Sequence, residues 1–106
     1  MNEKIRTLMN ELRTELVRVY GRRFKGIYLY GSYARGEQDR ESDVDILIIL
    51  DHIDQYGAEI DRTGPLVSAL SLKYSVSISR VFVSEQDWLE RDTPFLANAR
   101  EEAIPA

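Results

Sequence analysis

Cysteine is absent from the chain and prolines number only three. Without thiols there is no disulfide framework, so the fold has to be held by an apolar core. With so few prolines and 43% hydrophobic residues, a disordered chain is excluded. Positive charge is also short: 14 Lys and Arg stand against 18 Asp and Glu, a formal net charge of −4. A surface that neutralises nucleic-acid phosphates needs clustered cations, so no direct nucleic-acid partner is expected. No apolar stretch approaches the roughly 20 residues of a membrane helix. The expected setting is a soluble, cytoplasmic protein with no membrane partner. No fixed-period repeat is present, and 106 residues match the common size of one domain, residues 1–106.

The pattern of what is present predicts a small α/β sheet. Ile5, Leu8, Leu12, Leu16 and Val19 recur at the spacing of one helical stripe, with Asn2 to cap the helix and Gly21 to end it. Residues 26–30 form a short β-branched and aromatic run, read as the first strand. It feeds Gly31-Ser32, from which Ser32–Arg35 can make one helical turn capped by Ser32. A polar loop follows from Gly36 to Ser42. The second strand, 43–50, is apolar at every position beyond Asp45, as expected of a strand covered on both faces. Residues 53–74 read as helical, as one helix or as two divided at Gly64-Pro65. A third strand spans 76–83, Ser84 caps a helix holding Trp88 and Leu89, and 95–100 adds a further turn. The expected class is α/β (α+β), a small mixed sheet with helices packed mainly on one face.

Two segments carry the chemistry. Asp43 and Asp45 are separated by one residue at the head of a central strand, so both carboxylates leave the same face. Two acids side by side repel one another and are costly to bury. A divalent cation removes that conflict: Mg²⁺ takes one or two protein carboxylates and fills its octahedron with water and substrate phosphates. One ion or two can be held in this way. Gly31-Ser32 lies at a strand-to-helix turn, where glycine allows close backbone approach to an anion and Ser32 adds a hydroxyl. It is not a Walker loop, because Glu37-Gln38 stands where Lys followed by Ser or Thr is required.

Gly31-Ser32-Tyr33-Ala34-Arg35-Gly36 followed by Ser42-Asp43-Val44-Asp45 resembles the signature of the DNA polymerase β-type nucleotidyltransferase superfamily. The likeness is greatest to its minimal nucleotidyltransferase group and covers nearly the whole chain in element order. The resemblance implies a palm-like fold in which Gly31, Ser32, Arg35 and Gly36 hold a nucleoside triphosphate, and Asp43 and Asp45 are catalytic metal ligands. It implies transfer of a nucleoside monophosphate, AMP from ATP, to a hydroxyl of another molecule with Mg²⁺. It further implies an antitoxin role beside a helical HEPN-domain toxin, some members of the group adenylylating a tyrosine of that partner. The family's third acid falls at Ser79, which is neutral. Glu59, Asp61 and Glu85 are the candidate replacements. A second reading is a nucleotide-binding antitoxin that acts by masking its partner. A third, a small-molecule nucleotidyltransferase subunit, lacks its usual second domain.

Other residues have plainer readings. Arg35 is as suited to a salt bridge within its own turn as to a phosphate. His52 is read as a solvated loop residue, and Asp39-Arg40-Glu41 as a solvated loop between the motif halves. Trp88 and Phe95 are read as packing residues, while Tyr33 is left between solvent and the nucleotide base. The base, the acceptor and the oligomeric state are open.

Overall fold

The computed structural model describes residues 2–106. Helix α1 (Glu3–Tyr20) begins where the Asn2 side chain accepts the Ile5 N–H at 2.8 Å. A short 3₁₀ turn leads into β1 (Phe24–Tyr30), and α2 (Ser32–Arg35) follows at once. Next come β2 (Val44–Leu50), α3 (Tyr56–Tyr74) and β3 (Ile78–Ser84). The chain closes with α4 (Glu85–Glu90), α5 (Pro94–Glu102) and a two-residue strand, β4 (Ile104–Pro105).

The sheet order is β3-β2-β1-β4. β1 runs antiparallel to both β2 and β4, and β2 runs parallel to β3 through the α3 crossover. β2 is therefore interior, which explains its unbroken apolar run. Val44, Ile46, Ile48 and Leu50 face one side, packed with Ile5, Leu8, Leu12 and Leu16 of α1 and Leu70 of α3. Leu47 and Ile49 face the other, under Leu96 and Ala99 of α5. The two long helices thus lie on one face, as the pattern predicts, and the shorter carboxy-terminal pair covers part of the other.

Pro65 lies inside α3 without dividing it, which settles the choice in favour of one helix. That helix starts at Tyr56, because Gln55 before it is extended. Ser84 caps α4 through the Asp87 N–H at 3.2 Å. Thr93 is itself a cap, accepting the Leu96 N–H at 3.2 Å, so Pro94 opens a nine-residue helix where only a turn is predicted. On the open edge of the sheet, the Tyr56 hydroxyl accepts the Phe82 N–H at 3.1 Å.

At the Leu50 end of the sheet lies a buried polar cluster. Glu59, 3% exposed, accepts hydrogen bonds from Tyr20 (2.8 Å), Arg23 (2.9 Å) and Arg62. Burial alone would push its carboxyl up, but Arg23, Tyr20 and Arg62 together hold it below the usual range. The Tyr20 hydroxyl is pushed up to about 12 by burial and by Glu59. No helix among the described residues is long and apolar enough to cross a membrane.

Ile48 is fully buried on the interior strand. Ile48→Ala is expected to cost about 2–5 kcal/mol of unfolding free energy, read from urea denaturation. A loss below about 1 kcal/mol would mean that this strand is not the centre of the core.

Candidate nucleotide and metal site

The antiparallel register of β1 and β2 places Tyr30 opposite Asp45. The parallel register of β2 and β3 places Asp45 opposite Ser79. Alternation puts Asp45 on the face of Leu47 and Ile49, and Ser79 on the face of Val81 and Val83, which is the same α5 side. Asp43, one position before the strand, shares the parity of Asp45 and is exposed. The predicted pair therefore stands on one face, while Val44 between them is buried in the α1 side.

Gly31 follows directly from Tyr30, so it arrives beside Asp45. The approach is close: a Cβ on Gly31 would collide with the Asp45 carboxylate and lie 3.1 Å from its Cγ. Its φ of 73° adds a backbone reason for glycine. Gly31, not Ser32, occupies the cap position of α2 and makes no side-chain cap bond; its carbonyl instead accepts the Ala34 and Arg35 N–H groups at 3.1 Å. The expected Ser32 cap is thus displaced by one residue, leaving the serine as the first residue of α2. Gly36 ends α2 at φ 72°, with open space where a Cβ would be, so its geometry reports a helix stop and not a close approach.

Electrostatics mark Asp45 out. Burial raises its carboxyl above the usual range, the Asp43 charge raises it further, and Arg35 opposes both. The neighbouring Tyr30 hydroxyl is pushed up to about 12 by burial and by the Asp45 charge. This pair suits a cation: two carboxylates on one face, one of them reluctant to ionise without help. Among the described residues no group of three or more acidic, histidine or cysteine side chains comes together to hold a metal ion. The candidate donor set is therefore the aspartate pair, and an ion held by it would have its remaining positions open to water and phosphate oxygens.

None of the proposed substitutes for the third acid is nearby. Glu59 is committed to the far cluster. Asp61 is exposed on α3, which packs against the opposite face. Glu85 follows Ser84, which pairs with Leu50, about 16 Å along the sheet from Asp45. The carboxylate that does reach the site is Glu102, at the end of α5. Glu102 Oε1 accepts the Gly31 N–H at 3.1 Å, and Arg35 Nη1 donates to both its oxygens at 3.3 and 3.1 Å. Arg35 Nε also donates to Glu37 at 3.1 Å. Contact across 71 residues leaves no local periodicity to detect, so Glu102 is not visible in the sequence pattern.

The remaining residues are simply placed. His52 is exposed between Asp51 and Asp54. Asp39 and Ser42 close their loop on each other, with the Asp39 N–H donating to the serine hydroxyl at 3.0 Å. Tyr33 packs against the α1-side core. Trp88 packs on Tyr28 at 5.0 Å, and Phe95, still 42% exposed, meets Tyr30 edge-on at 5.6 Å.

A mixed sheet with a glycine turn pressed onto an aspartate, and a second aspartate on the same face, defines the frame of an enzyme that transfers nucleotidyl groups. The chain belongs to the nucleotidyltransferase domain family, whose model matches residues 9–95. Two proteins of Methanocaldococcus jannaschii with the provisional name protein adenylyltransferase resemble it. One is 40% identical over 88 residues, 81% of this chain and 78% of its own length. The other is 32% identical over 74 residues, 70% and 74% of the two chains. The fold is shared with a structure described provisionally as a minimal nucleotidyltransferase (TM-score 0.60, 24% identity, 100% of this chain and 97% of that one). It is shared also with a chain of a toxin–antitoxin crystal structure with AMP-PNP (TM-score 0.64, 23% identity, 90% and 69%).

Because the folded protein holds the Asp45 proton more tightly than the unfolded chain does, ionising Asp45 weakens the metal-free fold. That penalty is absent below the unfolded value near 3.8 and grows as pH rises through the raised folded value. Asp45→Asn is therefore expected to melt at a higher temperature than the wild type at pH 7 in chelator, the gap closing at the acid end. A gap that widens on acidification would contradict the burial of this carboxylate.

Proposed function

We propose that this domain transfers AMP from ATP to a hydroxyl of a partner protein with Mg²⁺, as the antitoxin of a helical HEPN-domain toxin. The observation that carries the reading is the contact of Gly31 with Asp45, which sets a polyphosphate-binding turn directly against a metal-binding carboxylate. Asp43 and Asp45 would hold the Mg²⁺, which neutralises phosphate charge when bound. Gly31 would offer its N–H, Ser32 its hydroxyl and Arg35 its guanidinium to phosphate oxygens, with Gly36 ending the turn. The acceptor oxygen bonds to the α-phosphorus as the bond from that phosphorus to the α,β-bridging oxygen breaks. Pyrophosphate leaves and the hydroxyl proton passes to solvent, since Ser79 beside Asp45 is a poor base. Positioning and charge stabilisation supply the rate.

The two Methanocaldococcus jannaschii relatives support protein as the acceptor class by their name. Two solved toxin–antitoxin complexes share the fold, one of MntA-HpeT and one with AMP-PNP, which supports a toxin partner and an adenine nucleotide. A second reading has one specific observation behind it: the β3 position in register with Asp45, where a third carboxylate would stand, is the neutral Ser79. The domain then binds nucleotide and silences its partner by covering it.

The readings separate by intact-mass measurement of the purified partner after incubation with ATP and Mg²⁺. Catalysis predicts an added adenylate, lost about a hundredfold or more in rate with Asp43→Asn. No added mass, together with toxin inhibition that survives Asp43→Asn, would replace transfer by masking.

A further inference from the structure

We infer that Glu102 is a built-in stand-in for phosphate: in the nucleotide-free chain its carboxylate fills the anion position between the Gly31 N–H and Arg35, and a triphosphate binds by displacing it. This rests on the proposed nucleotide site and adds a control on its occupancy.

The contacts are those an anionic oxygen seeks. One glutamate oxygen takes the Gly31 N–H at 3.1 Å, and both oxygens face Arg35 at 3.3 and 3.1 Å. A backbone N–H with a guanidinium is the donor set used for carboxylate and phosphate alike. One N–H serves one strong acceptor, so Glu102 and a phosphate oxygen compete for it directly. Charge sharpens the competition, because the Glu102 carboxylate stands on the Gly31 turn that is itself pressed against Asp45. A triphosphate entering with Glu102 in place would meet three carboxylates.

Displacement needs little rearrangement. Glu102 ends α5, and its side chain is 27% exposed. Beside it lies a cavity of about 600 Å³ lined by Tyr30, Phe95, Asn98 and Glu101, into which the carboxylate can swing. The backbone behind it is held by the pairing of Ile104 with Leu29 and by the Ala106 N–H on the Ile27 carbonyl at 3.1 Å. The side chain can therefore leave Gly31 while β4 stays on the sheet.

The test is calorimetric binding of AMP-PNP with Mg²⁺ to the full chain as wild type, Glu102→Gln, Glu102→Asp and Glu85→Gln. Glu102→Gln keeps the shape and removes the charge, and is expected to bind about tenfold more tightly, equivalent to a wild-type site open roughly one-tenth of the time. Glu102→Asp, a shorter acid with weaker reach, is expected between the two. Glu85→Gln, at the far end of the sheet with the same change in net charge, is expected to match the wild type. In the absence of nucleotide, the Gly31 amide resonance is expected to move in Glu102→Gln. Binding that is unchanged or weaker in Glu102→Gln overturns the inference. If wild-type uptake is magnesium-dependent and lost in Asp43→Asn while Glu102→Gln binds like the wild type, the stand-in role alone falls. If neither the wild type nor Glu102→Gln takes up AMP-PNP, the nucleotide site falls with it.

Discussion

The missing side chain of Gly31 is the constraint around which the site is arranged. The β1–β2 register brings the end of β1 level with the start of β2, and only a residue without a Cβ can occupy the next position while Asp45 keeps its place. From that contact the rest follows: the turn of α2 starts at Gly31, Arg35 comes round within one helical turn, and both face the acidic pair. Steric exclusion, not an attractive bond, sets the spacing between the glycine turn and the strand that carries the aspartates. It is cheap in energy and unforgiving of substitution, which suits a site whose function depends on position.

The sheet divides its work between two faces. Toward α1 and α3 it is apolar along the whole of β2, so that face carries the main core. Toward α5 it is apolar only in the middle, at Leu47 and Ile49, and turns polar at the row Tyr30, Asp45 and Ser79. Short α5 covers the apolar part, while its last residue reaches the polar end. Stability and chemistry thus meet on one strand without competing for the same residues. The buried Glu59 cluster shows the contrasting use of charge: there each carboxylate oxygen is answered by Arg or Tyr, and nothing is left for a ligand.

Much of this was legible in the residues because the signals are local. The helical stripe of Ile5, Leu8, Leu12 and Leu16, the doubly buried 46–50 run, the Asn2 and Ser84 caps and the one-face placement of Asp43 and Asp45 follow from periodicities of 3.6 and 2. The position of Ser79 came from family resemblance, and its register with Asp45 agrees with it. What escaped was long-range or sterically subtle. The cap at Gly31 instead of Ser32 depends on a left-handed φ that composition does not reveal. The β4 pairing involves two residues, one a proline, at the sheet edge. Glu102 joins Gly31 and Arg35 only through tertiary folding.

The Tyr56 phenol on the outer edge of β3 has a consequence for assembly. An edge strand offers its free N–H and C=O groups to any passing chain, and at Phe82 that offer has already been taken up by a side chain of the same molecule. A foreign strand seeking to extend the sheet there would first have to turn the Tyr56 ring aside and break its edge-on contact with Phe82. Uncontrolled growth of the sheet from that side is therefore blocked at its middle rung, and partners are steered toward surfaces other than the strand's own backbone.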